Sequence, residues 1–109
     1  MKEITLKSYT LREENGQWLG QIVLTSDGMF ASVTDWGNLS YAWRSTSEED
    51  FRKFIIRLDT DYFAGKLQNG LPYIAHSRKT EATCKRFAEK VLPALQKALI
   101  EEIDKGIDF

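Results

Sequence analysis

The residue types best suited to catalysis are scarce in this chain. It has one histidine, His76, and one cysteine, Cys84, which would supply a base and a nucleophile if they met in the fold. Neither lies in a recognisable catalytic signature, and the sequence contains no G-x-x-x-x-G-K-[ST] or G-x-G-x-x-G phosphate-binding loop. We therefore expect no enzymatic activity, with His76 in a loop and Cys84 as a small core residue.

The clustered acidic residues are explained by the starts of predicted helices. Metal or acid–base chemistry needs carboxylates that converge in a pocket, whereas acids in a first helical turn cap the backbone and complement the helix dipole. With one histidine and one cysteine, a zinc site built from those two residue types is excluded within the chain. The sequence predicts no metal and no cofactor. The acids concerned are Glu48, Glu49, Asp50, Asp59 and Asp61.

One group of side chains suited to binding is a set of aromatic residues between positions 30 and 43. Exposed aromatics anchor protein interfaces, and they also stack on unpaired bases. The alternative interpretation is that these residues form the core beneath the helices, and the sequence leaves both open. The candidate partner-binding residues are Phe30, Trp36, Asn38, Tyr41 and Trp43.

A second group consists of basic residues around the start of the last predicted helix. Residues 77–105 contain seven basic and five acidic side chains, and three of the acids gather at the end. This order opposes the helix dipole, which favours a binding role for the basic residues, although a solvated helix face would have a similar composition. The candidate patch for a phosphate or an acidic partner comprises Arg44, Arg78, Lys79, Lys85 and Arg86.

The elements that position these residues follow from turn signals and periodicity. Asn15-Gly16, Asp27-Gly28 and Gly37-Asn38 supply the residues that tight hairpins require, between runs rich in β-branched and aromatic residues. They predict four antiparallel strands at roughly 3–14, 17–26, 29–36 and 39–45.

Two-residue loops at these turns also predict which side chains share a face of the sheet. Such loops pair Tyr9 with Ile22 and Leu24 with Ala31, and strand alternation extends the pattern. One predicted face is aliphatic and carries Tyr9, Leu11, Ile22, Leu24, Ala31, Val33 and Ala42. The other mixes hydroxyls with large residues, among them Phe30, Ser32, Thr34, Trp36, Tyr41 and Trp43.

The rest of the chain has helical spacing. A capping box of Thr46 and Glu49 predicts the start of a first helix, residues 61–68 predict a second, and residues from about 80 to 105 predict a long one that contains Pro93. The fold prediction is α+β, a four-stranded antiparallel β-meander followed by two or three helices packed on one face. We expect a single domain over 1–109, with the meander in 1–45 and the helical part in 46–105.

The composition narrows the range of functions. The 109 residues are 42% hydrophobic and 28% charged with a formal net charge of −1, so the molecule as a whole has no strong field for nucleic acid or anionic membrane. The chain has neither a signal-peptide core at its start nor an apolar run of the length that a membrane span needs. A single cysteine fits a reducing compartment, and we expect a cytoplasmic location.

One stretch resembles a group of small bacteriophage and prophage proteins. It comprises the block W-G-N-L-S-Y-A-W at 36–43, the Phe51 and Phe54 pair, and the D-Y-F-A-G-K-L segment at 61–67. The resemblance covers roughly residues 30–70. It implies a bacterial cytosolic setting and an accessory role, and it supplies no reaction or ligand.

The predicted architecture is also similar to that of single-stranded-DNA-binding coactivator and Whirly domains, which bind nucleic acid on the sheet. This chain departs from them because it inserts helices at 46–69 and has few basic residues in its β half: Lys2, Lys7, Arg12 and Arg44.

Two function hypotheses follow. The first is a phage-type accessory protein that binds another protein through the aromatic sheet face. The second is a single-stranded nucleic-acid binder, with aromatics stacked on bases and the basic patch on phosphates. Self-association stays open under both hypotheses.

Overall fold

A computed structural model describes residues 3–109 and begins with a four-stranded antiparallel sheet. The strands pair in chain order, and each is shorter than the sequence predicts. They are β1 (Leu6–Arg12), β2 (Trp18–Thr25), β3 (Met29–Thr34) and β4 (Ser40–Ala42). The predicted α+β meander followed by helices is confirmed.

Three helices follow the sheet: α1 (Phe51–Ile56), α2 (Thr60–Asn69) and α3 (Arg78–Asp104), with a single 3-10 turn at Tyr73–Ala75 before α3. The predicted capping box is wrong. Asp50 caps α1 instead, because its carboxylate accepts a hydrogen bond from the Arg52 backbone N–H at 3.0 Å.

The three hairpins differ in how well their loop lengths could be predicted. In the third, between β3 and β4, Tyr41 pairs with Phe30, so the predicted two-residue loop at 37–38 is wrong. In the first hairpin, Tyr9 pairs with Ile22 and Leu11 with Gly20, as predicted. In the second, Leu24 pairs with Phe30 rather than with Ala31. The loop there has three residues, 26–28, and ends on Gly28 with φ +103°. Because side chains alternate along a strand, this one-residue slip turns β3 over relative to the prediction.

The slip redistributes side chains between the two faces of the sheet. Ile22 and Leu24 share the helix-covered face with Phe30, whereas Ala31 and Val33 turn away from the helices. The predicted separation of an aliphatic face from an aromatic face is therefore wrong. We call the uncovered side the outer face: alternate residues from Leu6 to Thr10, from Gln21 to Thr25 and from Met29 to Val33, with Ser40 and Ala42.

The core lies between the inner face of the sheet and the three helices. Phe30 contacts Phe63 of α2 and Phe87 of α3, with ring centroids 5.2 and 6.4 Å apart in edge-on geometry. The apolar stripe of α3 is buried as predicted. Its members include Cys84, Phe87, Ala88, Val91, Leu95 and Leu99.

Candidate protein-binding surface

The structure places two of the predicted partner-binding aromatics in the core. Phe30 is fully buried and Trp43 is 5% exposed. The Trp43 ring packs against Phe51, Phe54 and Phe63, and its indole N–H donates to the Tyr62 hydroxyl at 3.3 Å. The prediction of an exposed platform is wrong for these residues, because the β3 slip turns Phe30 toward the helices and Trp43 lies against α1 and α2.

The other three predicted residues do not form a platform either. Trp36 and Tyr41 are half-buried, with the Lys90 ammonium 5.1 Å from the centroid of the Trp36 ring. Asn38 is exposed, and its side-chain oxygen accepts from the Thr34 backbone N–H at 3.2 Å. Asn38 therefore stabilises the turn between β3 and β4.

The single histidine and cysteine lie in different environments. Cys84 is buried in the core, where desolvation raises the pKa of its thiol and disfavours the reactive thiolate. The Nε2 atom of His76 lies 3.1 Å from the carbonyl oxygen of Leu71, within the loop before α3. His76 thus lies in a loop and Cys84 in the core, as the sequence predicts.

Two hydrophobic side chains missed by sequence reasoning project from the 3-10 turn. Tyr73 is 88% exposed and Ile74 is 93% exposed, which makes them the most exposed large hydrophobic residues in the described chain. A solitary exposed apolar residue needs no explanation, but an adjacent pair at this exposure indicates a contact surface. The one sequence signal that could have indicated this exposure is that the two apolar residues follow Pro72 and belong to no helical stripe.

Hydrogen bonds hold the turn that presents this pair. The Ala75 N–H donates to the Pro72 carbonyl at 2.9 Å, and the His76 N–H donates to the Tyr73 carbonyl at 3.0 Å. On the helix side, the Thr80 hydroxyl donates to the Ala75 carbonyl at 2.5 Å. The Tyr73 ring also lies 5.8 Å from the imidazole of His76. The turn is therefore pre-organised, which lowers the entropy cost of binding through it.

Four of the five predicted basic residues lie in the first three turns of α3, and all four are exposed. Arg78 and Lys85 are seven residues apart, as are Lys79 and Arg86, so the two pairs form adjacent stripes on one side of the helix. Residues 78–90 contain five basic side chains against the two carboxylates of Glu81 and Glu89.

Arg44 is separate from this group. It lines a cavity of about 750 Å³ between the β2–β3 turn and the loop before α1, and none of the four α3 residues lines that cavity. We define the 73–86 surface as Tyr73, Ile74, Arg78, Lys79, Lys85 and Arg86.

A buried ionic cluster is the other polar feature that sequence reasoning missed. Arg52, 3% exposed, donates to both carboxylate oxygens of Asp50 and to Glu102 at 2.5 Å. Glu102 also accepts from the Tyr9 hydroxyl at 2.9 Å and lies 3.5 Å from the Lys7 ammonium. Two cations face two carboxylates, so the cluster is internally balanced and joins β1, α1 and α3.

This arrangement shifts the pKa values of its members. Hydrogen bonds from Arg52 hold the pKa of Asp50 below its usual value. Burial opposes ionisation of Glu102, but hydrogen bonds from Arg52 and Tyr9 outweigh it, and the net pKa of Glu102 is also lowered. Desolvation, with the hydrogen bond to Glu102, raises the pKa of Tyr9 above its usual value.

Comparison with known proteins gives a family for the chain. Residues 1–79 match the model of a family described as a phage family, Phage_phiTE_072. The chain belongs to this phage family. The match in the phage protein includes the whole sheet, α1, α2 and the 3-10 turn with Tyr73 and Ile74.

No curated protein and no solved structure matches the phage protein. Within residues 3–109, none of its helices combines the length and apolar character needed to cross a membrane.

Proposed function

We propose that this phage protein is an accessory factor that binds an acidic protein partner through the 73–86 surface, in the cytoplasm of the infected bacterium. The observation that carries the proposal is the exposure of Tyr73 and Ile74 on a hydrogen-bonded turn. Tyrosine is enriched among the residues that dominate binding energy, and such anchors act by filling a pocket on the partner. A binding role rather than catalysis is also supported by the burial of Cys84.

The basic residues of the 73–86 surface are the reason for proposing an acidic partner. Arg78, Lys79, Lys85 and Arg86 are exposed and lie on one side of α3, which begins four residues after Ile74. Carboxylates around an apolar pocket would complement this distribution, accelerate association and suppress wrong partners. Because the molecule carries a net charge of −1 overall, this attraction is local to the 73–86 surface.

The test is affinity capture from nuclease-treated lysate of phage-infected bacteria. A protein retained in stoichiometric amount by the wild type should be reduced at least about tenfold by the double variant Tyr73→Ala/Ile74→Ala, because the anchors are lost. The matched control is Ile100→Ala, which removes an exposed isoleucine of α3 outside this surface and should leave capture unchanged. Equal capture by the double variant would contradict the proposal.

A second candidate function is binding of single-stranded nucleic acid at the same surface. The 88% exposure of Tyr73, five positions before Arg78, favours it, since an exposed ring can stack on a base while cations hold phosphates. The version that uses the sheet aromatics is not available, because Phe30 and Trp43 are buried.

Fluorescence anisotropy with labelled single-stranded DNA and RNA separates the two candidates. Nucleic-acid binding should weaken steeply with salt and fall with Tyr73→Ala but not with Tyr73→Phe. No binding at low salt would leave the protein partner as the function of this surface.

A further inference from the structure

The first strand forms an edge of the sheet, and its outward backbone groups have no partner within residues 3–109. The Ser26 N–H donates to the Thr5 carbonyl at 2.8 Å, so the backbone of Thr5 points toward β2. Because successive residues of a strand direct their N–H and C=O groups to opposite sides, those of Leu6, Ser8 and Thr10 point away from β2. No hydrogen bond of the described chain reaches these groups, and they are open to a second strand.

The pairing at the other end of this hairpin agrees with the assignment. The Glu13 N–H donates to the Gln17 carbonyl at 2.8 Å, so Glu13 also points toward β2. Thr5 and Glu13 are eight positions apart and have the same direction, as regular alternation between them requires. The even-numbered residues of Leu6–Arg12 therefore face the open edge along the whole of β1.

This edge lacks the features by which proteins usually hinder the addition of another strand. Those features are a proline, a bulge in the middle of the strand and a charge without a partner. β1 contains no proline, and the irregularity in its pairing lies at its end, between Leu11 and Arg12. Its other charged residue is Lys7, whose ammonium lies 3.5 Å from the Glu102 carboxylate and is thereby neutralised.

The opposite edge of the sheet is far less accessible. β4 has only three residues, and the end of α2 lies against it. A Cβ built on Gly70, the C-cap of α2, would lie 2.7 Å from the Ser40 carbonyl oxygen. With one long open edge in each molecule, strand addition ends at two copies and does not continue into a fibre.

We infer that β1 pairs antiparallel with the β1 strand of a second copy of this chain, which joins two four-stranded sheets into one of eight strands. Two identical antiparallel strands are related by a two-fold axis, so each outward N–H of one copy meets an outward C=O of the other. The edge is thus complementary to itself through its backbone alone.

The charges of β1 are compatible with this pairing. If the two-fold axis passes beside Tyr9, the whole of Leu6–Arg12 overlaps in the two copies. Lys7 then lies opposite Leu11 of the second copy, and Arg12 lies opposite Leu6 of the second copy. Neither cation faces its own charge, which would destabilise a strand pair.

Backbone hydrogen bonds, rather than a large apolar area, determine the strength of this dimer. The overlapping strands can form up to about eight of them. Each replaces hydrogen bonds to water, so its net contribution is small, and an interface this narrow belongs to the weak, transient class. The dimer should dissociate reversibly, with a dissociation constant of roughly 10 μM to 1 mM.

Analytical ultracentrifugation of the full chain across micromolar to millimolar concentrations tests this inference. The average mass of the wild type should rise from the monomer value of 12.6 kDa toward twice that value. Ser8→Pro removes an outward N–H that the β1–β2 pairing does not use, and its ring obstructs an added strand. The dissociation constant of this variant should rise at least about tenfold, while circular dichroism shows a folded chain.

The matched control is Ser8→Ala. It removes the hydroxyl, which accepts a hydrogen bond from the Gln21 side chain at 2.7 Å, but keeps the backbone N–H. Self-association should therefore be unchanged. A wild type that stays monomeric at all concentrations would overturn the inference, as would a folded Ser8→Pro protein that associates as strongly as the wild type.

Amide hydrogen exchange of the wild type, followed by NMR, tests the same edge without any substitution. In dilute solution the amides of Ser8 and Thr10 should exchange fast, whereas those of Lys7 and Tyr9 are protected by β2. At millimolar concentration all four should be protected, with exchange at Ser8 and Thr10 slowed at least about tenfold. A dimer in which Ser8 and Thr10 still exchange fast would use another surface, and the inference would be wrong.

Discussion

The aromatic residues of this chain show why residue type alone does not separate a core from a binding face. Phe30 and its neighbours alternate with hydroxyl residues, a pattern typical of a half-polar surface. In the fold, Ser32 donates to the Leu39 carbonyl at 2.8 Å and Thr34 donates to the Gly37 carbonyl at 2.8 Å. The backbone of the β3–β4 connection thus satisfies both hydroxyls, so these two residues can be buried beside large aromatics.

Two tryptophans give a direct test of this assignment. Trp43→Ala should lower the free energy of unfolding by about 3–5 kcal/mol, because it removes a large buried side chain and leaves a cavity among Phe51, Phe54 and Phe63. Trp18→Ala is the matched control. Trp18 is 40% exposed, so its replacement should cost about 1 kcal/mol or less. Urea unfolding followed by circular dichroism measures both, and equal losses for the two variants would contradict the burial of Trp43.

The residues that sequence reasoning missed depend on contacts that no local pattern contains. Arg52 meets Glu102 across fifty positions of the chain. In the sequence it is one of several basic residues in an amphipathic segment. Tyr73 and Ile74 are recognisable as an exposed pair only once the packing of α2 and α3 leaves them outside the core. By contrast, the predicted core position of Cys84 needed only its place in the apolar stripe of α3.

Among the elements, helices and strands were predictable where a single periodicity extends over many residues. The buried stripe of α3 and the pairing of the first hairpin follow from spacing alone. The second hairpin did not, because Asp27-Gly28 suits a two-residue loop and the observed three-residue loop equally well. The one additional loop residue reverses which face of β3 is buried. It places Phe30 in the core and leaves Val33 exposed.

Alanine substitutions at two glycines should change the stability of the fold in opposite directions. Gly28→Ala should destabilise the fold by at least about 2 kcal/mol, because φ is +103° there and a Cβ would lie 2.1 Å from the Trp43 carbonyl oxygen. Gly65→Ala, within α2, should instead stabilise it by about 0.5–1 kcal/mol, because the site is open and alanine favours the helix. Thermal unfolding of both variants measures the effects. A stable Gly28→Ala protein would contradict the observed turn.

At the scale of the whole molecule, the ionic cluster around Arg52 joins β1, α1 and α3 by polar contacts, in addition to the apolar core between the sheet and the helices. Arg52 lies at the start of α1, Glu102 near the end of α3 and Tyr9 in β1. Arg52 also donates to the Ile107 carbonyl at 2.8 Å, and its guanidinium lies 5.6 Å from the centroid of the Phe109 ring. The cluster thus fixes the C-terminal segment against α1.

The cluster predicts how stability depends on pH. The pKa values of Asp50 and Glu102 are lowered in the folded protein, so their contribution is fully present above the unfolded values of 3.8 and 4.5. It is lost as pH falls through the lower folded values, because the unfolded chain takes up protons first. Within that range each carboxylate adds up to about 1.4 kcal/mol per pH unit to the slope of the unfolding free energy.

Glu102→Gln isolates one of these two contributions. The glutamine still accepts a hydrogen bond but does not titrate, so its slope just below about pH 4.5 should be shallower than that of the wild type by up to about 1.4 kcal/mol per pH unit. Urea unfolding at a series of pH values measures both slopes. The control is Glu48→Gln, which alters the 3.3 Å ion pair with Arg57, whose side chain is 59% exposed, and should change the slope little. Identical slopes for Glu102→Gln and the wild type would show that Glu102 titrates in the folded protein as it does in the unfolded chain. The buried ionic cluster would then not be the acid-sensitive link between β1, α1 and α3.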